Sequence, residues 1–279
     1  MSGTARPALV AEEALPGSPQ RPYVSQLIAG AFRDAQERRL LEKIRMAPVP
    51  KHLAIIMDGN RRFASGHGML IKEGHVRGKE TLEKLLDWCL EVGVRILTVY
   101  ALSTENLRRP AEELGPLMDL FAGAFQEIIT DPRVHKHGIQ VKAFGHIELL
   151  RPDVAAAIRA AEAATSSYSN YRYNVAIAYG GREEILDAIR AIAQDVADGK
   201  LTPKEIESST VSKRLYTADL PDPDLVFRTS GEERISNFLL WQSAYAELYF
   251  ADVLWPGLTR FDFFRAIRAF QIRQRRFGE

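Results

Sequence analysis

After Pro50 the chain alternates between short apolar runs and longer segments with helical spacing, and this alternation constrains the fold more than any single residue. The apolar runs fall at 52–57 (HLAIIM), 95–102 (RILTVYAL), 139–145 (IQVKAFG), 173–179 (YNVAIAY), 224–228 (DLVFR) and 246–251 (AELYFA). Each has the length of a strand. Between them Leu82, Leu85, Leu86, Cys89 and Leu90 recur every three or four residues. So do Leu114, Leu117, Met118, Phe121, Phe125 and Ile128, and again Ile185, Leu186, Ile189, Ile192 and Val196. That spacing puts each set on one helix face. Strand and helix in alternation predict an α/β fold, a single domain on a mainly parallel six-stranded sheet flanked by helices. Residues 51–279 would form it. Residues 1–22, rich in Ala, Pro, Gly and Ser, read as disordered. Residues 23–50 read as an amphipathic helix and a linker closed by Pro48 and Pro50.

Composition removes several function classes. The 37 basic and 36 acidic groups leave a net charge of +1, so no global field draws the chain to nucleic acid. Cys89 is the only cysteine, which excludes an intramolecular disulfide and a cysteine-based zinc site. Its leucine neighbours predict a buried core residue. No run approaches the roughly 20 apolar residues that span a bilayer. There is no basic start followed by an apolar stretch, so the expected location is cytoplasmic. A peripheral membrane contact through the first helix remains compatible with that.

In an open parallel sheet, ligands bind beyond the carboxyl ends of the strands. Polar clusters follow four of the apolar runs: DGNRR, STENLRRP, GGREE and RTSGEERISN. In the first, Asp58 is delivered onto a turn where Gly59 leaves the backbone room and two arginines suit phosphate oxygens. With a diphosphate present, Asp58 could hold magnesium, which takes one or two carboxylates plus phosphate oxygens. Alone, it sits in an ordinary Asp-Gly turn. In the second cluster a helix-capping role explains Ser103 and Glu105 but does not need Asn106 or Arg109. In the third, Arg228, Arg234 and Ser236 would offer a diphosphate two guanidinium forks, a hydroxyl and the start of a following helix. Glu232 and Glu233 are the competing salt-bridge partners. Glu247 starts the last run, where a carboxylate needs a cation. None of the six histidines has zinc-ligand spacing; His135 and His137 are expected in an exposed turn. His75 opens a helix close after the Asp58 turn, where it serves either catalysis or a structural hydrogen bond.

Together these clusters resemble the cis-prenyltransferase family, which includes undecaprenyl and dehydrodolichyl diphosphate synthases. The resemblance is carried by HLAIIMDGNRRFA, YALSTENLRRP, NVAIAYGGREEI and DLVFRTSGEERISNFLLWQSAYAELYFADVLWP, with RRFG at the end. It covers about residues 50 to 278 in the family's order. It implies that magnesium serves condensation of isopentenyl diphosphate onto an allylic prenyl diphosphate, giving a Z-polyprenyl diphosphate that becomes a glycosyl carrier lipid. Asp58, Asn60, Asn106 and His75 would then be catalytic, and Asp58 and Glu247 would hold the metal. The primer's diphosphate would rest on the turn Gly59-Asn60-Arg61-Arg62, Ser103, Asn106 and Arg109 would form the loop between the two sites, and Phe63, Thr104 and Glu105 would also bind substrate. Arg228, Arg234 and Ser236 would hold isopentenyl diphosphate. Arg276 and Gly278 match an Arg-x-Gly ending that reaches a partner subunit's site, which implies a homodimer.

The resemblance also implies an apolar tunnel, for which Leu102, Phe121, Phe125 and Ile177 are candidates that core packing explains equally well. Tyr171 and Tyr173 would limit product length at its floor. Some positions depart from the bacterial pattern: Ile71 replaces an arginine, with Lys72 beside it, Glu233 replaces a histidine, and Arg61 and Leu107 replace a glycine and a tryptophan. The Arg61-Arg62 pair looks more like archaeal and eukaryotic members. Two alternatives stay open at this point. One is transfer of the prenyl group to a hydroxyl acceptor, and the other is a non-catalytic subunit of a heteromeric enzyme.

Overall fold

Six strands form one sheet, and each coincides with one of the apolar runs: β1 (His52–Ile56), β2 (Ile96–Ser103), β3 (Ile139–Phe144), β4 (Tyr171–Tyr179), β5 (Leu225–Arg228) and β6 (Glu247–Phe250). The computed structural model describes residues 34–273. The chain divides into two units between Arg39 and Leu40, and the described sheet lies in the second. The expectation of disorder over 1–22 lies outside the described residues, as does the start of the helix expected in 23–50. A helix, α1, is described over residues 34–45. The others are α2 (Asn60–Gly66), α3 (Ile71–Val92), α4 (Ala111–Ile128), α5 (Pro132–His137), α6 (Pro152–Thr165), α7 (Gly181–Ala197), α8 (Ser208–Ser212) and α9 (Arg260–Ile272).

Every neighbouring pair of strands is parallel, in the order β3-β4-β2-β1-β5-β6. All-parallel sheets are buried on both faces. Accordingly β1 and β5 are buried at every residue. Leu53, Ile55, Leu97, Val99 and Val175 join the larger core with residues of α3, α4, α6 and α9. Alternate residues Ala54, Ile56, Ala176 and Val226 pack on the other face with Phe238 and Leu239. The strand period of two separates the faces.

The helical patterns near 82–90 and 114–128 become α3 and α4, and Leu85, Cys89, Leu117 and Phe125 are buried as their spacing predicted. Burial raises the Cys89 thiol pKa, which suits an inert core residue. In α7 a different stripe turns inward. Gly181, Glu184, Ala188 and Ile192 are buried, while Leu186 and Ile189 are exposed. A buried carboxylate, Glu184, displaces the aliphatic stripe. It accepts hydrogen bonds from the Tyr179 hydroxyl (2.5 Å), Gln242 Nε2 (3.0 Å) and the Tyr216 N–H (2.8 Å). His135 and His137 lie in the short helix α5 instead of a turn, with Asp131 as its cap.

Candidate active site

β1 is flanked by β2 on one side and β5 on the other, so the chain leaves β1 in one direction and returns later on the opposite side. That reversal leaves a crevice beyond the carboxyl ends of β1 and β5. The register pairs Ile56 with Arg228, which brings the Asp58 turn and the end of β5 together across 170 residues of chain. Thr229 fastens them: its hydroxyl donates to Asp58 O (2.7 Å) and accepts from Asp58 N–H (3.1 Å). Gly59 then turns the chain at φ 115°, in the region that favours glycine, and α2 begins.

Asp58 Oδ2 accepts from Arg228 Nη2 at 2.7 Å, and Oδ1 lies 3.6 Å from Arg62 Nη2. Partial burial would raise the Asp58 pKa. The hydrogen bond from Arg228, the nearby Ser230 hydroxyl and the charges of Arg228 and Arg62 outweigh it and hold the carboxyl below its ordinary value. Arg228 is 4% exposed. Its Nη1 donates to Arg234 O (2.5 Å) and to Ser236 Oγ (2.7 Å), while its Nε has no partner. The helix expected to start at Arg234 is absent. Ser236, Asn237 and Leu239 have φ of 46°, 64° and 45°, so turns replace it and no helix N-terminus faces this position. Arg234 instead pairs with Glu232 at 2.5 Å.

On the other side of the crevice, Ser103 Oγ accepts from the Asn106 N–H (3.2 Å) as a short 3-10 turn begins. Arg109 Nη1 reaches Glu113 Oε1 at 3.0 Å. Glu113, which the sequence reading passed over, is also 3.7 Å from Arg61 and 3.5 Å from His75, and its side chain is 8% exposed. The signal was its place one helical turn after Arg109. Burial first, then the charge of Arg109, lowers the His75 pKa against the pull of Glu113. The imidazole is therefore neutral near pH 7, and its Nε2 has no hydrogen-bond partner.

These groups ring a cavity of about 1060 Å³. Asp58, Asn60, Arg62, Arg109, Arg228 and Ser236 line its polar mouth, and Gly59, Arg61, His75, Ser103, Glu105, Asn106 and Arg234 also contribute. Beyond them the wall is apolar: Leu82, Val99, Leu102, Phe121, Phe125 and Ile128, among others. Tyr173 lies at the amino-end side of the sheet and also lines the cavity. Of the residues proposed for the tunnel, Ile177 and Tyr171 are not part of its wall. Phe63 turns away and stacks on His67 at 4.1 Å, and Thr104 contacts Glu105 outside the lining. Arg276 and Gly278 lie outside the described residues.

Glu247 needs a larger correction. In the parallel register it pairs with Leu225 at the amino end of β5, whereas Arg228 and Asp58 are at the carboxyl end. Three strand residues separate the two levels, roughly 10 Å. Its cation is Arg273, at 3.1 Å. Within one chain Glu247 therefore does not join Asp58.

The donor set fits magnesium in one way only. Among the described residues no group of three or more His, Cys, Asp or Glu side chains could cage a metal. The carboxylate of Asp58, set beside arginines with Glu105 also on the lining, suits a magnesium ion carried by a diphosphate, because the phosphate oxygens and water complete its shell. The unpartnered Arg228 Nε–H adds a donor suited to an anion.

A family model described as "Putative undecaprenyl diphosphate synthase" matches residues 56–278. The tritrans,polycis-undecaprenyl-diphosphate synthase (geranylgeranyl-diphosphate specific) of Picrophilus torridus is 53% identical over 243 residues, covering 87% of this chain and 95% of that protein. The protein of the same name from Methanopyrus kandleri is 54% identical over 242 residues, covering 87% and 89%. The crystal structure of lavandulyl diphosphate synthase from Lavandula x intermedia, in complex with dimethylallyl diphosphate, superposes with a TM-score of 0.78 at 34% identity, over 83% of this chain and 99% of that one. The parallel sheet, the crevice at its reversal and these matches agree, and the chain belongs to the undecaprenyl diphosphate synthase family of cis-prenyltransferases.

Proposed function

We propose that the protein extends geranylgeranyl diphosphate with isopentenyl diphosphate units into a Z-polyprenyl diphosphate of undecaprenyl length. One observation carries the reading: a single cavity joins a cationic mouth to an apolar interior. A substrate with a diphosphate head and a growing hydrocarbon tail matches both ends of that cavity. The names of the archaeal relatives supply the primer and the length. They favour neither transfer to a hydroxyl acceptor nor a non-catalytic subunit.

Arg61 and Arg62 would bind the primer's diphosphate, and Arg228, Arg234 and Ser236 would bind that of isopentenyl diphosphate. Asp58 would hold magnesium against the primer's diphosphate. When bound, that ion neutralises charge on the leaving group. Breaking the allylic C–O bond leaves the electron pair on the diphosphate, where the fixed guanidinium groups stabilise it. The alkene of isopentenyl diphosphate attacks the allylic carbon, and loss of a proton leaves the new double bond. Asn60, Asn106 and the neutral His75 stand at the mouth to orient the two heads. The apolar wall excludes water from the cation and receives the tail. A homodimer, with Arg276 and Gly278 serving the neighbouring subunit, belongs to the same proposal. So does a cytoplasmic location with contact to membrane through the product.

Primer competition tests the reading. Geranylgeranyl, farnesyl and dimethylallyl diphosphates are each supplied with labelled isopentenyl diphosphate and magnesium, and kcat/KM is measured for each. Geranylgeranyl diphosphate should give the highest value. Equal or better use of dimethylallyl diphosphate would remove the primer assignment.

A further inference from the structure

The GGREE segment and Asn237, the last residue of RTSGEERISN, have no role in the chemistry described so far, yet they are bonded to each other. Asn237 lines the mouth beside Ser236. Every polar group of Asn237 that the structure pairs reaches a distant segment. Its carbonyl accepts from the Gly181 N–H at 2.7 Å, and its Oδ1 accepts from the Arg182 N–H at 2.8 Å. Its Nδ2 donates to Glu183 Oε2 at 3.1 Å and to Glu105 Oε1 at 3.2 Å. Glu105 belongs to the loop after β2, and the other partners open α7.

The approach is close, and at Gly181 it is set by the backbone of the turn. A Cβ on Gly180 would lie 2.1 Å from Glu183 Oε2 and 2.8 Å from Asn237 Nδ2. On Gly181 it would lie 3.0 Å from Asn237 O. The turn itself is backbone-strained, because Ser236 and Leu239 hold left-handed φ values that such residues seldom adopt. Something must over-determine it, and the bonds of Asn237 do so. Asparagine is also the non-glycine residue that best tolerates φ 64°.

We infer that Asn237 is a positioning residue that clasps the loop after β2 to the isopentenyl-side turn, with Gly180-Gly181-Arg182-Glu183 as the fixed post. This rests on the function proposed above. The physical route is short. Asn237 fixes Ser236, whose hydroxyl receives Arg228, whose other nitrogen holds Asp58. The amide is the group the geometry calls for, because two carboxylates converge on one NH2 and need a shared donor. Burial would raise the Glu105 pKa. Its own backbone N–H, Ser103, Asn237 and Thr104 outweigh that and hold it low, so the carboxylate accepting from the amide is ionised.

Two variants test the clasp. Asn237→Gly keeps the left-handed backbone and deletes the amide; Asn237→Asp keeps the shape and sets a third carboxylate against Glu105 and Glu183. Steady-state kinetics are run with isopentenyl diphosphate varied at saturating primer and magnesium, with thermal melting alongside. Asn237→Gly should raise the KM for isopentenyl diphosphate by about tenfold, with kcat changed less than KM. Asn237→Asp should do worse near pH 7.5 and recover in part when Glu105→Gln is added, since the new amide can donate to the aspartate. A KM within twofold of wild type in Asn237→Gly overturns the inference; if that variant does not fold, the same KM criterion applied to the isosteric Asn237→Asp decides. Failure of the function reading looks different, because the wild-type protein itself would not consume isopentenyl diphosphate.

Discussion

Asp58 shares its carboxylate between Arg228 and Arg62, and the ligand state would redistribute these contacts. Because it is the acidic anchor at the mouth, Asp58→Ala should cut kcat by about 10²-fold or more, in the range seen when a key electrostatic group is removed. Steady-state rates with saturating substrates check this. Near-wild-type turnover would end its role. Tyr173 belongs to the other end of the cavity. Its hydroxyl pKa is raised by burial, and it lines the wall that Tyr171 does not reach. Tyr173→Ala should therefore lengthen the products seen by chromatography, while Tyr171→Ala leaves them unchanged. An unaltered product distribution in Tyr173→Ala would sink the floor assignment. Residues at strand ends, such as Asp58, Arg228 and Ser103, were legible because an apolar run in sequence marks where a strand delivers them. Phe63 and Thr104 were not, because one residue's shift along a helix or turn decides which side it faces. Glu113 reads in sequence as an ordinary first-turn acid of α4 and gains its meaning only when Arg61, Arg109 and His75 converge on it.

The β1 element carries a second, structural polarity at its amino end. His52 is 1% exposed and lies between Pro221 O (2.7 Å from Nδ1) and Thr98 Oγ1 (2.8 Å from Nε2). Burial pushes its pKa down from 6.5 to about 4, against the opposing effects of the Pro221 bond and the Asp224 charge. The unfolded chain then holds more protons between those values, so stability rises with pH through this window. The contribution is whole above pH 6.5, lost as the pH falls to about 4, and amounts to the order of 3 kcal/mol. Denaturant melts of wild type and His52→Gln at pH 7 and pH 4.5 check it. The variant should lose less stability between the two pH values. Equal losses would show that His52 does not titrate as argued. Element type was legible throughout the strands, since each run is a short apolar stretch of strand length. Register was not. The start of β6 looks in sequence like any strand end, and only pairing with Leu225 shows that Glu247 faces the edge opposite Asp58. The α7 stripe failed for a related reason: a satisfied buried carboxylate, Glu184, can take the inward position that periodicity assigns to an aliphatic residue.

For the whole molecule, strand order determines where function lies. The strand order reverses between β1 and β5; the polar clusters after β1, β2 and β5 line the cavity there, and the cluster after β4 bonds to Asn237 on its lining. Sequence predicted a parallel sheet and clusters beyond its carboxyl ends, but not that β1 would be central. Centrality depends on long-range pairing that no local pattern encodes. The terminal Arg276 and Gly278 belong to the proposed dimer. Removing residues 276–279 should lower turnover at least tenfold while sedimentation still reports a dimer. A monomeric wild-type protein, or a fully active truncation, would remove that role. In the proposed function the mouth and wall of one cavity perform Z-chain elongation. Its most direct measurement uses purified protein, geranylgeranyl diphosphate, carbon-13 isopentenyl diphosphate and magnesium, with product length read by chromatography and double-bond geometry by NMR. The expected product is a polyprenyl diphosphate whose added units are all Z, with none formed when magnesium is chelated. Absence of chain growth, or added units in the E geometry, would contradict it.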